Sequence, residues 1–216
     1  MGWTLAPGVG FCFASDQLIF LDLRTDRYLA LRGERRAAFE RLRAREDNDS
    51  EAMTGLLATG FFVRTEGENR LDPVSVTMPA TDLTAWRRSK IRLPMVAAAA
   101  RDLYWARRAL APDRLAATLA GLQHQKRTKT SDPDPSALAE LALGYASARA
   151  LVPVPPRCLV DSLALFRLIL RHDLAPSMIF GVRLAPFAAH CWLQSSEHVL
   201  TGSVDDAHNF TPILAL

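Results

Sequence analysis

The chain has 216 residues, 49% of them hydrophobic and 23% charged, with a formal net charge of +3. That composition excludes a disordered chain and supplies apolar material for one large domain or two small ones. The near-balanced charge gives no nucleic-acid footprint, and the arginine runs RGERRAAFERLRAR and TAWRRSKIR read as solvated helix faces.

The 3 cysteines, Cys12, Cys158 and Cys191, form no Cys-x-x-Cys pair, so neither a disulfide framework nor a metal site is expected. A reducing, cytoplasmic setting follows. The opening MGWTLAPGVGF has no basic segment followed by an apolar run, so no signal peptide is read there. The most apolar stretch, Cys158 to Leu170, is interrupted by Asp161, Ser162 and Arg167 and is too short to span a bilayer. No Gly-rich phosphate loop appears, and no cofactor is expected.

In chain order, GVGFCFAS, LIFLDL and RYLAL read as three short strands, with turns at Asp16-Gln17 and Thr25-Asp26. Together they make a meander with an open edge at RYLAL. A helix over Gly33–Arg45 follows, then a second, EAMTGLLATG, from Ser50 to a terminating Gly60, and FFVR returns toward the sheet. Residues 1–65 thus form a small domain, and the turn-rich residues 66–93 a linker. Three helices come next, opened by Pro94, Pro112 and Pro135, with a polar exposed loop, HQKRTKTSDPDP, at 124–135. The apolar helix beginning near Pro156 and Cys158 precedes four strand-like runs: SMIFGVRL, AAHCWLQS, EHVLTG and FTPILAL. The fold class is therefore α+β, a strand meander with helices followed by helices and an antiparallel sheet over 94–216.

Cys158 falls in the first turn of its helix, where unpaired N–H groups and the helix dipole favour a thiolate. Asp161 and Ser162 share its side of the helix. A nucleophilic cysteine needs a base. Of the 5 histidines, His190 is the best placed, in a strand that turns His190, Trp192 and Gln194 to one face and Cys191 to the other. His124 falls in the polar loop, and His172 lies roughly 20 Å from Cys158 at ~1.5 Å per residue. On position alone, Cys158 reads equally well as a reactive thiol or a buried structural cysteine, and His190 reads as a strand histidine bonded to a carbonyl.

The ordered set RCLVDSLAL, FGVRLAPF, AHCW and FTPIL resembles the B proteins of lasso-peptide biosynthesis. These are leader peptidases with a transglutaminase-like, papain-related core. The segment SDQLIFLDLRTDRYLAL with its following helices is similar to the PqqD-like, winged-helix-like RiPP recognition element that some of that family carry ahead of the peptidase. The resemblance implies Cys158 as nucleophile and His190 as base. It implies a lasso precursor peptide as substrate and a separate asparagine-synthetase-like, ATP-dependent lasso cyclase as partner, with no nucleic acid, metal or membrane. The leader would lie along Arg27, Tyr28, Leu29, Ala30 and Leu31 and against Met53, Leu56 and Leu57.

Family members usually place an Asn-Asp pair after the apolar residues of the next strand, and its aspartate orients the histidine. Here Thr201-Gly202 stands there, which leaves Asp205 or Asp206 as the substitute acid. Pairing Gln194 with Val199 would put Ser203 opposite His190 and either carboxylate at most diagonal to it. Two other activities stay open on this pattern: a leader-binding scaffold with a silent core, and an acyltransferase on the same core. A winged-helix-like DNA binder would leave the C-terminal half without a role.

Overall fold

A computed structural model describes residues 2–47, 49–83, 89–111, 114–128 and 134–216. The chain is α+β and divides into two compact units, Met1–Ser75 with Thr211–Leu214, and Val76–Phe210 with Ala215–Leu216.

The first unit opens with β1 (Gly2–Leu5), followed by β2 (Val9–Ala14), β3 (Gln17–Asp22) and β4 (Arg27–Leu31). β2, β3 and β4 form an antiparallel meander in that order, so β4 is an edge. The first turn is Ser15-Asp16, one residue earlier than the sequence suggests, because both residues take positive φ (43° and 61°). That is the geometry that joins twisted strands through two residues. The second turn is longer. Asp22 organises it by accepting from the Arg24 guanidinium through both oxygens, at 2.8 Å each, and from the Arg24 N–H at 2.9 Å.

Helix α1 (Gly33–Ala44) buries Ala38, Phe39 and Leu42. Helix α2 (Ser50–Leu57) is capped by Asp49, whose side chain accepts from the Ala52 N–H. FFVR does not rejoin the meander. Its strand β5 (Phe62–Thr65) pairs antiparallel with β1, Leu5 opposite Phe62, in a separate two-stranded sheet. The core is aromatic. Phe20 stands 4.9–5.9 Å from the rings of Phe11, Phe39, Phe61 and Phe62, in stacked and edge-on arrangements.

In the second unit Val76 and Met78 pack on a buried cluster, and β6 (Thr81–Asp82) follows. The early part of the expected linker is therefore packed. Helices α3 (Leu93–Ala109), α4 (Leu115–Arg127) and α5 (Pro135–Arg149) come next. Pro94 and Pro135 sit in first helical turns, and Pro112 lies outside the described residues. His124, expected in a loop, is in the last turn of α4.

Helix α6 (Cys158–Leu170) is the centre, with Leu163, Ala164, Leu165, Phe166 and Ile169 all at 0% exposure. Its arginine edge has a purpose. Asp102 of α3, fully buried, takes Arg167 at 2.8 Å, Arg171 at 3.3 Å and its own neighbour Arg101 at 2.8 Å. Arg167 also lies 4.1 Å over the Trp105 ring.

Strands β7 (Ser177–Leu184) and β8 (Phe187–Gln194) form a long antiparallel pair, with Gly181 opposite His190. Beside β8 comes β9 (His198–Val199), then β6, parallel to β9. After β9 the chain forms a short helix α7 (Val204–His208), and β10 (Thr211–Ala215) follows. The last residue, Leu216, exchanges two backbone hydrogen bonds with Met178, of 3.1 and 2.9 Å. Among the described residues no helix is long and apolar enough to cross a membrane.

Candidate active site

Cys158 is the first residue of α6, and Arg157 is its N-cap. Pro153, Pro155 and Pro156 precede it, each with a fixed φ and no N–H to donate. The thiol is solvent-exposed, whereas Cys12 and Cys191 are buried. Burial pushes the Cys12 thiol up to about 12 and raises that of Cys191 well above its usual value, the latter with help from Cys158 nearby. Cys158 is the one cysteine with an accessible sulfur.

One turn into α6, Ser162 is fully buried, and its hydroxyl donates to the Cys191 carbonyl at 3.1 Å. It also meets the Thr201 hydroxyl at 2.9 Å, which accepts the Leu193 N–H at 2.8 Å. This chain of hydroxyls welds the start of α6 to β8 at the residue after His190. It brings the cysteine's helix end and the histidine's strand together. Ser162 is thus not part of a reactive polar patch beside the thiol, as its place on the helix suggests. Asp161 stays on the cysteine's side of the helix, but both its oxygens are engaged: it bonds the Arg149 guanidinium and, at 2.9 Å, the Arg157 N–H.

His190 is half-buried between rings, 5.7 Å from Trp192 and 5.1 Å from Phe210. Gly181 makes room for both: a Cβ there would stand 2.9 Å from each of them. Desolvation lowers the histidine's pKa, against a smaller opposing pull from Asp206. Its Nε2 is buried without a hydrogen-bond partner among the described residues. Gly202 faces that nitrogen; a Cβ on it would lie 3.4 Å from Nε2.

The predicted pairing of Gln194 with Val199 is present. The ladder then carries one more bond, Leu200 N–H to Leu193 O at 2.8 Å. Gly202 at φ 81° turns the chain away, so Ser203 does not lie opposite His190 but caps α7. Asp205 and Asp206 occupy the first turn of α7, both exposed. Asp206 Oδ2 accepts from the Ser203 hydroxyl at 2.7 Å, and neither carboxylate bonds His190.

A match to a family model shows the superfamily of the surrounding domain. Residues 94–215 match the model described as the transglutaminase-like superfamily. The chain belongs to that superfamily. No curated protein and no solved structure matches it. The transglutaminase-like domain has a cysteine-peptidase-like fold, and its matched span holds Cys158, His190 and Gly202 together.

The remaining expectations divide by burial. Gln194, read on the His190 face of its strand, is buried; it accepts from the Trp192 indole at 2.9 Å and donates to the Thr77 carbonyl at 2.8 Å. In the first unit Arg27 and Leu29 are exposed on β4, Tyr28 and Ala30 are partly so, and Met53 and Leu57 are half-buried on α2. Leu31 and Leu56 belong to the core, 3% and 0% exposed, and offer no surface to a peptide. Among the described residues no three His, Cys, Asp or Glu side chains are placed to hold a metal ion. Two residues around the site escaped the sequence reading. Arg149 left no signal, because its partners lie beyond a loop. The α7 cap had one in the spacing of Ser203 and Asp206.

Proposed function

We propose that the protein is the leader peptidase of a lasso-peptide pathway. It binds the leader of a ribosomal precursor and hydrolyses the leader–core bond with Cys158. The observation that supports this reading is the exposed thiol at the α6 terminus, tied through Ser162 to the strand of His190. His190 takes the thiol proton as the sulfur attacks the scissile carbonyl. The core amine leaves with that proton, and the leader remains as a thioester on Cys158. Water, deprotonated by His190, then releases the leader carboxylate. A separate ATP-dependent cyclase uses the freed amine for ring closure. The leader adds as a strand to the β4 edge, with Leu29 the exposed apolar contact at 42% exposure and the half-buried Met53 and Leu57 of α2 as further apolar contacts.

A second reading is favoured by one observation, the unpartnered Nε2 beside Gly202. Without an acceptor there, nothing fixes the histidine tautomer, and the protein would serve as a leader-binding scaffold that presents the precursor to the cyclase. Mixing the protein with the precursor encoded nearest its gene and weighing the products separates the readings. The peptidase gives leader and core fragments that vanish with Cys158→Ala. The scaffold binds the leader and leaves the precursor intact.

A further inference from the structure

Arg149, at the last turn of α5, is the residue on which the approach to Cys158 is built. Its guanidinium donates to the carbonyls of Val152 (3.2 Å) and Val154 (2.7 Å) and to the Asp161 carboxylate. Asp161 spends its second oxygen on the Arg157 N–H, the residue before the cysteine. One planar group therefore fixes the loop from Val152 to Arg157 and the first turn of α6. The pair is little exposed, at 16% for Arg149 and 20% for Asp161, so water screens it poorly.

The electrostatic consequence follows from the helix geometry. Asp161 is three residues from Cys158, on the same side of α6, where a negative charge opposes a thiolate. Arg149 neutralises it. Arg157, the N-cap of α6, directly precedes the cysteine and lines a cleft with Arg107 of α3, and Cys191 of β8 is near enough to feel the Cys158 charge. Tyr145 of α5 is buried, its hydroxyl donating to the Asp161 carbonyl at 3.4 Å, and burial with Asp161 beside it keeps it protonated.

We propose that Arg149 is a positioning residue for the cysteine: it sets the backbone that presents Cys158 and cancels the Asp161 charge that would oppose its thiolate. The inference rests on the reading of Cys158 as nucleophile, but its test does not need a peptide substrate.

The test is iodoacetamide alkylation of Cys158 in the full chain, followed by mass spectrometry across pH, for wild type, Arg149→Met and Asp161→Asn. Circular dichroism and thermal melts run alongside. Removing Arg149 leaves Asp161 uncompensated, so the alkylation profile moves to higher pH and the rate at neutral pH falls roughly three- to tenfold. Asp161→Asn keeps an acceptor in place but leaves Arg149 unopposed, so its profile moves to lower pH. Opposite shifts support the proposal. Shifts of the same sign, or none, overturn it, because a merely structural clamp loosens in both variants. If Arg149→Met does not fold, Asp161→Asn decides: a profile at lower pH supports the proposal, and an unmoved or higher one overturns it. Precursor cleavage is a separate measurement, so failure of the peptidase reading and failure of this one are told apart.

Discussion

At the scale of residues, the account turns on Gly202. It leaves His190 Nε2 without an acceptor, while desolvation disfavours the imidazolium that a thiolate–imidazolium pair requires. Gly202→Asp grows a carboxylate toward that nitrogen. Precursor cleavage by this variant is expected to rise about tenfold or more, read as kcat/KM. The positive φ at the position costs about 1 kcal/mol, seen as a lower melting temperature. A rate equal to wild type would mean that the acceptor is immaterial.

The lowered His190 pKa has a stability counterpart. Its folded value lies below the unfolded one near 6.5, so the unfolded chain binds the proton more readily. Stability is full above that unfolded value and declines as pH falls through it toward the folded one. In a melt series against pH, His190→Gln is expected to flatten that part of the slope. The presence of a cysteine and histidine was legible in the sequence. The fate of Asp205 and Asp206 was not, because the turn at Gly202 ends the ladder from which their positions were extrapolated.

At the scale of elements, the hydroxyl chain from Cys191 through Ser162 to Thr201 joins α6 to β8. Ser162→Ala leaves the Cys191 carbonyl and the Thr201 hydroxyl buried without that partner. A loss of about 1–3 kcal/mol is expected, together with a fall in kcat that exceeds any rise in KM. Asp102 is the sharper case, a fully buried carboxylate facing three arginines. Asp102→Ala removes the buried acceptor that these arginines share, and since Arg101 and Arg171 can turn to water, chemical denaturation is expected to show a loss of about 1–3 kcal/mol.

Elements with strong periodicity were readable: the meander, the two N-terminal helices, α6 and β8 all stand where their patterns put them. Those settled by distant partners were not. β5 finds β1 rather than the meander, and no local pattern carries such information. Helix α7 differs, since its cap was written in the spacing of Ser203 and Asp206.

At the scale of the whole molecule, the proposed division of labour is leader binding by the first unit and chemistry by the second. Leu29→Asp puts a charge on the exposed β4 edge. It is expected to raise KM for the full precursor about tenfold and leave kcat unchanged. A peptide spanning the cleavage site but lacking the leader should be cut by this variant at the wild-type rate. An unchanged KM for the full precursor would locate leader binding elsewhere.

If Cys158 is the nucleophile, it carries the leader as a thioester during turnover. Acid-quenching the precursor reaction early and mapping covalent adducts by mass spectrometry detects that species. A leader-sized acyl group is expected on the peptide that contains Cys158, formed as the core fragment appears. Release of core with no adduct on Cys158, or an adduct on another residue, would contradict it.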